Sequence, residues 1–292
     1  VLKAEGLLLV AMAALSWGTT GTTLKLIGAE APSAPLLVGA LRMLIAAPAL
    51  LAAAGATRRM PTRVGRGFAV AGLCMAAYQI CYFSAVPLAG VPATALLAIC
   101  SAPVFIAILA KVVLGERLTR ARLVALVLGL AGAGLLLAGE GPMAGKGFAA
   151  GGALALAAGL AYSVYAVVTK RALNGASPLG LSALTFSAAA LALSPVVAAR
   201  WPEASQLLAH GAPHLLFLGL IATAAAYWLY TTGLQRVPAG AAAVAGLLEP
   251  LTATLLGAAL FGERLGATGL AGAVLLVGAV VAYGLALDSA TR

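Results

Sequence analysis

Most of this chain lies in apolar runs long enough to cross a lipid bilayer, and this constrains its fold more than any other feature. Ten runs can be read, at about residues 6–27, 34–54, 67–87, 92–113, 119–138, 147–169, 178–199, 213–235, 239–261 and 267–287. A helix needs about 20 apolar residues to cover the hydrocarbon. Lipid offers the backbone no hydrogen bonds, so each run must satisfy its own amides and carbonyls by forming a helix. The 292 residues are 63% hydrophobic and only 9% charged, where a soluble domain carries about a quarter charged residues. The connections leave no room for a soluble domain or a catalytic lid. The expected fold is therefore an all-α integral membrane protein with ten transmembrane helices.

The net charge of +10 does not point to nucleic acid, because the basic residues sit in short loops between apolar runs. Loops 55–66 and 116–122 carry seven of the eighteen and read as topology signals and anionic-lipid contacts. Lys25, Lys146, Arg200 and Arg264 fall on the opposite, poorer side. Loops rich in Lys and Arg stay in the cytoplasm, so both termini are expected there, in a multi-pass protein of a bacterial inner membrane. The first run is long enough to span and is read as a helix, not as a cleaved leader. Cys74, Cys81 and Cys100 lie inside runs without metal-ligand spacing. His210 and His214 are four apart in what reads as a loop before the eighth run, with Pro213 between them. No metal site is expected from either group. No span carries a catalytic His/Asp/Glu cluster and no phosphate-binding loop is present. Neither an enzyme nor an ATP-driven pump is expected, and no cofactor.

A cassette occurs twice. Ala102-Pro103 is followed after eleven residues by Gly115-Glu116-Arg117-Leu118, and Glu249-Pro250 after eleven residues by Gly262-Glu263-Arg264-Leu265. Leu15-Ser16-Trp17 matches Leu160-Ala161-Tyr162, Lys25 matches Lys170, and Val91-Pro92-Ala93 matches Val237-Pro238-Ala239. Two repeats of five spans follow, residues 1–140 and 146–288. Five is odd, so the second repeat should enter the membrane upside down. Such inverted repeats are the frame of alternating access, with a central cavity near the midplane between the halves. A passive pore is the competing reading.

These motifs, with Arg42-Met43-Leu44-Ile45-Ala46-Ala47 in the second run, resemble the EamA domain of the drug/metabolite transporter superfamily, as two tandem domains covering nearly the whole chain. Within that superfamily the chain is most similar to aromatic amino acid exporters of the YddG type. The resemblance implies a central cavity and export from the cytoplasm. One position breaks the repeat: Ala102 stands where the second copy has Glu249.

An ionisable group inside a span is costly and marks function by default. Arg42 and Glu249 both fall near mid-depth. The planar guanidinium of Arg42 suits a carboxylate, or can hold a neighbouring helix. Glu249 can bind an ammonium, carry a proton, brace the helix beside Pro250, or pair with Arg42. Aromatic residues recur at helical spacing, Tyr78 with Tyr82, Tyr162 with Tyr165 and Tyr227 with Tyr230, with Trp228 beside the last pair and Trp17 in the first run. They are expected to wall the cavity, joined by the polar Gln79, Ser101 and Ser163. Pro103 and Pro250 remove a mid-helix donor and are expected to kink their helices. The Gly-Glu-Arg-Leu loops are expected to cap the ends of the fourth and ninth helices. A small-molecule substrate, an amino acid above all, and membrane lipids are the expected partners of a monomer.

Overall fold

The computed structural model describes residues 2–28, 34–61, 65–117, 119–137, 147–262 and 266–289. Ten helices are long and apolar enough to span a membrane: α1 (Lys3–Ile27), α2 (Pro35–Ala56), α3 (Arg66–Ala89), α4 (Ala93–Leu114), α5 (Arg120–Leu137), α6 (Phe148–Ala172), α7 (Pro178–Ala199), α8 (Trp201–Arg236), α9 (Ala239–Phe261) and α10 (Ala267–Leu285). All ten expected runs are helices. The described residues contain no strand.

The helices pair in a pattern that survives exchanging each helix with the one five places on. Thus α3 packs on α6 as α8 packs on α1, and α4 on α6 as α9 on α1, while α2 meets α7 and α5 meets α10. Small residues set the closest of these contacts, since lipid supplies no hydrophobic drive between helices and backbones must come near enough for dispersion to act. A Cβ on Gly132 of α5 would stand 2.7 Å from the Gly272 carbonyl of α10, and one on Gly272 would stand 2.6 Å from the Gly132 carbonyl. Of the other glycines on these two helices, Gly134 and Gly278 have open space around them and take no part in the contact.

The structure departs from the sequence reading in α8 and α9. The eighth helix begins at Trp201, not near 213, and His210 and His214 therefore lie inside it. Pro202 occupies its first turn, where a missing N–H costs nothing, and Pro213 is carried within the same helix. A π-helical stretch follows at Phe217–Ala225. Among the described residues no group of His, Cys, Asp and Glu could hold a metal. The ninth helix is interrupted at Leu247, between segments Ala239–Gly246 and Leu248–Phe261. Pro250 has no N–H to give to the Gly246 carbonyl, and the chain breaks one turn before it. The helix stays continuous through Pro103 up to Leu109, and a π-helical turn, Ala110–Leu114, closes α4.

Gly115 and Gly262 both end their helices in the left-handed conformation, with φ of 69° and 68°. That much agrees with a capping role for the repeated loop. Glu116, however, does not cap its own helix. Its carboxylate accepts from the backbone amides of Ala239 and Gly240 at the start of α9. The second copy, Glu263-Arg264-Leu265, lies outside the described residues.

The central cavity as candidate functional site

Between the halves lies a cavity of about 1340 Å³. Its mouth is at the C-terminal end of α1, where Lys25, Val91, Phe261 and Gly266 are exposed and line it. Arg42 and Glu249 both face this space, with Trp17, Tyr78, Tyr82, Tyr162, Tyr227, Pro103 and Pro250.

Close helix contacts put the two ionisable residues there. On α1, a Cβ at Gly18 would stand 2.6 Å from the Glu249 carbonyl, so Trp17 and Glu249 share one wall because α1 and α9 touch at a glycine. On α2, a Cβ at Gly39 would stand 2.5 Å from the Phe83 ring and 3.3 Å from the Gln79 side-chain oxygen. This approach of α2 to α3 seats Arg42. Its Nη2 donates to Gln79 Oε1 at 3.1 Å, and its guanidinium lies 5.6 Å from the Phe83 ring centre. Only 5% of Arg42 is exposed. No carboxylate among the described residues is bonded to it. Gln79 is neutral, and the carboxylate that shares the cavity with Arg42 is that of Glu249.

Trp17, Thr20 and Arg42 line the cavity, and each carries a buried donor (Trp17 Nε1, Thr20 Oγ1 and Arg42 Nε) without a hydrogen-bond partner among the described residues. Thr20 belongs to the run of hydroxyls, Ser16, Thr19, Thr20 and Thr23, that the sequence places along the first helix. It lies three positions after Trp17 and so shares its helix face.

The aromatic side chains form one connected cluster. Trp17 packs against Tyr227 at 4.8 Å, Tyr230 at 5.3 Å and Tyr162 at 6.3 Å, and Tyr162 reaches Tyr78 at 5.7 Å. Offset and edge-on contacts of this kind add packing energy beyond area burial. Not every aromatic residue expected at the cavity reaches it. Tyr165 is fully buried behind Tyr162, against Tyr227 and Tyr230. Trp228, 41% exposed, points outward from α8, because Tyr227 and Tyr230 already occupy the inner face. Three polar candidates also stand off the wall. Gln79 is buried behind Arg42 and also donates towards Met75 Sδ. Ser101 bonds the Ala98 carbonyl, and Ser163 bonds the carbonyls of Gly159 and Ala102. Both hydroxyls serve helix backbone, as Ser commonly does inside a membrane helix.

Comparison with known proteins places this architecture. The model of the EamA-like transporter family matches residues 4–138 and again 149–285. The chain belongs to the EamA-like transporter family. Among relatives of this EamA-like transporter, the uncharacterized transporter YwfM of Bacillus subtilis (strain 168) is 37% identical over 274 residues, 92% of this chain and 90% of its own. An uncharacterized transporter of Archaeoglobus fulgidus is 30% identical over 275 residues, 94% of each chain. One protein of known crystal structure, 21% identical, superimposes with a TM-score of 0.82 over 97% of this chain and 98% of its own. That likeness concerns the fold.

Proposed function

We propose that this EamA-like transporter exports amino acids, aromatic ones above all, from the cytoplasm across the bacterial inner membrane by alternating access. The observation that carries the reading is the presence of opposite charges in one aromatic-lined cavity: Arg42 and Glu249 line it together with Trp17, Tyr78, Tyr82, Tyr162 and Tyr227. A zwitterion with a planar apolar side chain matches it. Arg42 takes the carboxylate, for which its fork is shaped; Glu249 takes the ammonium; and the rings take the side chain.

Alternating access is supported by the two-fold pairing of helices between residues 1–140 and 146–288, read with five spans in each half as inverted repeats. The size of the cavity, above the range of about 300–1,000 Å³ usual for small-molecule sites, favours a second reading, in which larger metabolites or drugs are carried.

The test is counterflow into proteoliposomes with labelled phenylalanine, tryptophan and threonine, beside a panel of larger organic cations and anions. Saturable counterflow of the aromatic amino acids is expected. Failure of all three, with transport of a larger compound, transfers the function to the second reading. High flux without saturation or counterflow makes the protein a pore.

A further inference from the structure

Away from the cavity, a set of charged hydrogen bonds among the described residues grips the connection between α8 and α9. Lys170, in the last turn of α6, donates from Nζ to the carbonyls of Leu234 at 2.7 Å and Val237 at 2.8 Å, and at 3.4 Å to that of Gln235. Glu116, held beyond α4 by the left-handed Gly115, accepts from the Ala239 amide at 2.7 Å and the Gly240 amide at 3.3 Å. A cation on the last carbonyls of one helix and an anion on the first amides of the next are the favourable pairings with both helix dipoles. Glu116 comes from the first half and α9 from the second, so the bond is a bridge between halves. It lies at the end of the bundle away from the cavity mouth, and none of Glu116, Lys170 or Val237 lines the cavity.

The repeat puts the same chemistry at the other end. Lys25 corresponds to Lys170, and Leu88 and Val91 correspond to Leu234 and Val237. There the arrangement differs: Lys25 Nζ lies 4.7 Å from the Phe261 ring centre, and Lys25, Phe261 and Val91 line the mouth. One end is latched, and the cavity opens at the other.

We propose that Lys170 and Glu116 are gating residues, which latch the α8–α9 connection shut in this state. In the opposite state the latch is released, and Lys25 closes the mouth by binding the carbonyls of Leu88 and Val91. This inference rests on membership of a transporter family and not on the identity of the substrate, so the failure of the amino-acid reading leaves it standing.

Sided cysteine labelling tests it. Gly246 lines the cavity and has open space where a side chain would go. Gly246→Cys, in a chain whose Cys74, Cys81 and Cys100 are replaced by Ala, is treated with a membrane-impermeant maleimide in right-side-out and in inverted vesicles. The parent should label from the Lys25 face. Lys170→Met combined with Glu116→Ala should raise labelling from the Lys170 face by about tenfold, the population shift expected when one state loses two charge-assisted contacts. Lys170→Arg keeps donors at the site and should keep the parent pattern, while Lys25→Met should hold labelling on the Lys25 face and abolish counterflow. The proposal is overturned if the double variant elutes as a monodisperse protein and labels from the same face at the parent rate, or if Lys25→Met leaves counterflow intact.

Discussion

Arg42 shows how one neighbour sets the chemistry of a residue. A carboxylate at position 79 would neutralise the guanidinium, whereas the amide of Gln79 holds it by a hydrogen bond and leaves its charge to the cavity. Gln79→Glu is therefore a nearly isosteric change with a specific outcome. On the proposed reading it should raise the KM for phenylalanine by at least about tenfold, the scale of one charge-assisted contact. The affinity for phenethylamine, which lacks the carboxylate, should be kept. Competition assays in proteoliposomes measure both, and equal loss of the two ligands would take Arg42 out of carboxylate binding. Arg42→Lys should lower phenylalanine transport as well, because a point charge does not replace a planar fork. At this scale the sequence was informative about type and poor about direction. Arg42, Glu249 and most of the aromatics were legible because a charge or a run of rings within an apolar span has few other uses. Which hydroxyls turn back to helix carbonyls, as those of Ser101 and Ser163 do, depends on rotamers set by neighbouring helices.

Glycines and prolines shape the helices as elements, each for a local reason. The α5–α10 contact at Gly132 and Gly272 brings backbone against backbone, and a side chain there meets atoms that cannot turn aside. Gly132→Val should cost about 1–3 kcal/mol, the usual range for overpacking, and should appear as a lower melting temperature in detergent. Gly134→Ala, on the same helix but facing open space, should leave stability within about 0.5 kcal/mol or raise it slightly, since Ala is the better helix former. A similar fall in both variants would mean that the helix, not the contact, is what fails. The interruption of α9 at Leu247 calls for a different change. Pro250→Ala restores an N–H one turn after Gly246, so the two segments should join into a straighter helix and counterflow should fall while the protein remains monodisperse. Sequence reading expects a kink at Pro250, where the helix is interrupted three residues earlier at Leu247, and it places the start of α8 about twelve residues late. The polar stretch that includes Glu203, His210 and His214 does not look like part of a span, yet it continues the helix outward from Trp201.

For the molecule as a whole, the two-fold pairing of helices and the uneven spread of basic residues both bear on orientation. Both termini are expected in the cytoplasm. A green fluorescent protein fused at the C-terminus should fluoresce in a bacterial host, and alkaline phosphatase fused there should be inactive. The reverse pair of results would invert the assignment of the two faces, and the cavity mouth with it.

The sequence by itself determined the solvent, the number of helices, the repeat and the family. These follow from composition and periodicity, since a run of apolar residues in lipid has almost no choice but a helix. The tertiary structure decided which residues face one another. Gln79 lies behind Arg42, Trp228 points outward, and Glu116 reaches across to the other half. Such contacts join residues from 37 to 124 positions apart, and helical periodicity carries no information over that distance. The repeated Gly-Glu-Arg-Leu loop illustrates both sides of this division. Its glycine could be read as a helix stop from sequence alone, but the partner of its glutamate could not, because the amides of Ala239 and Gly240 become its neighbours only when α4 and α9 meet.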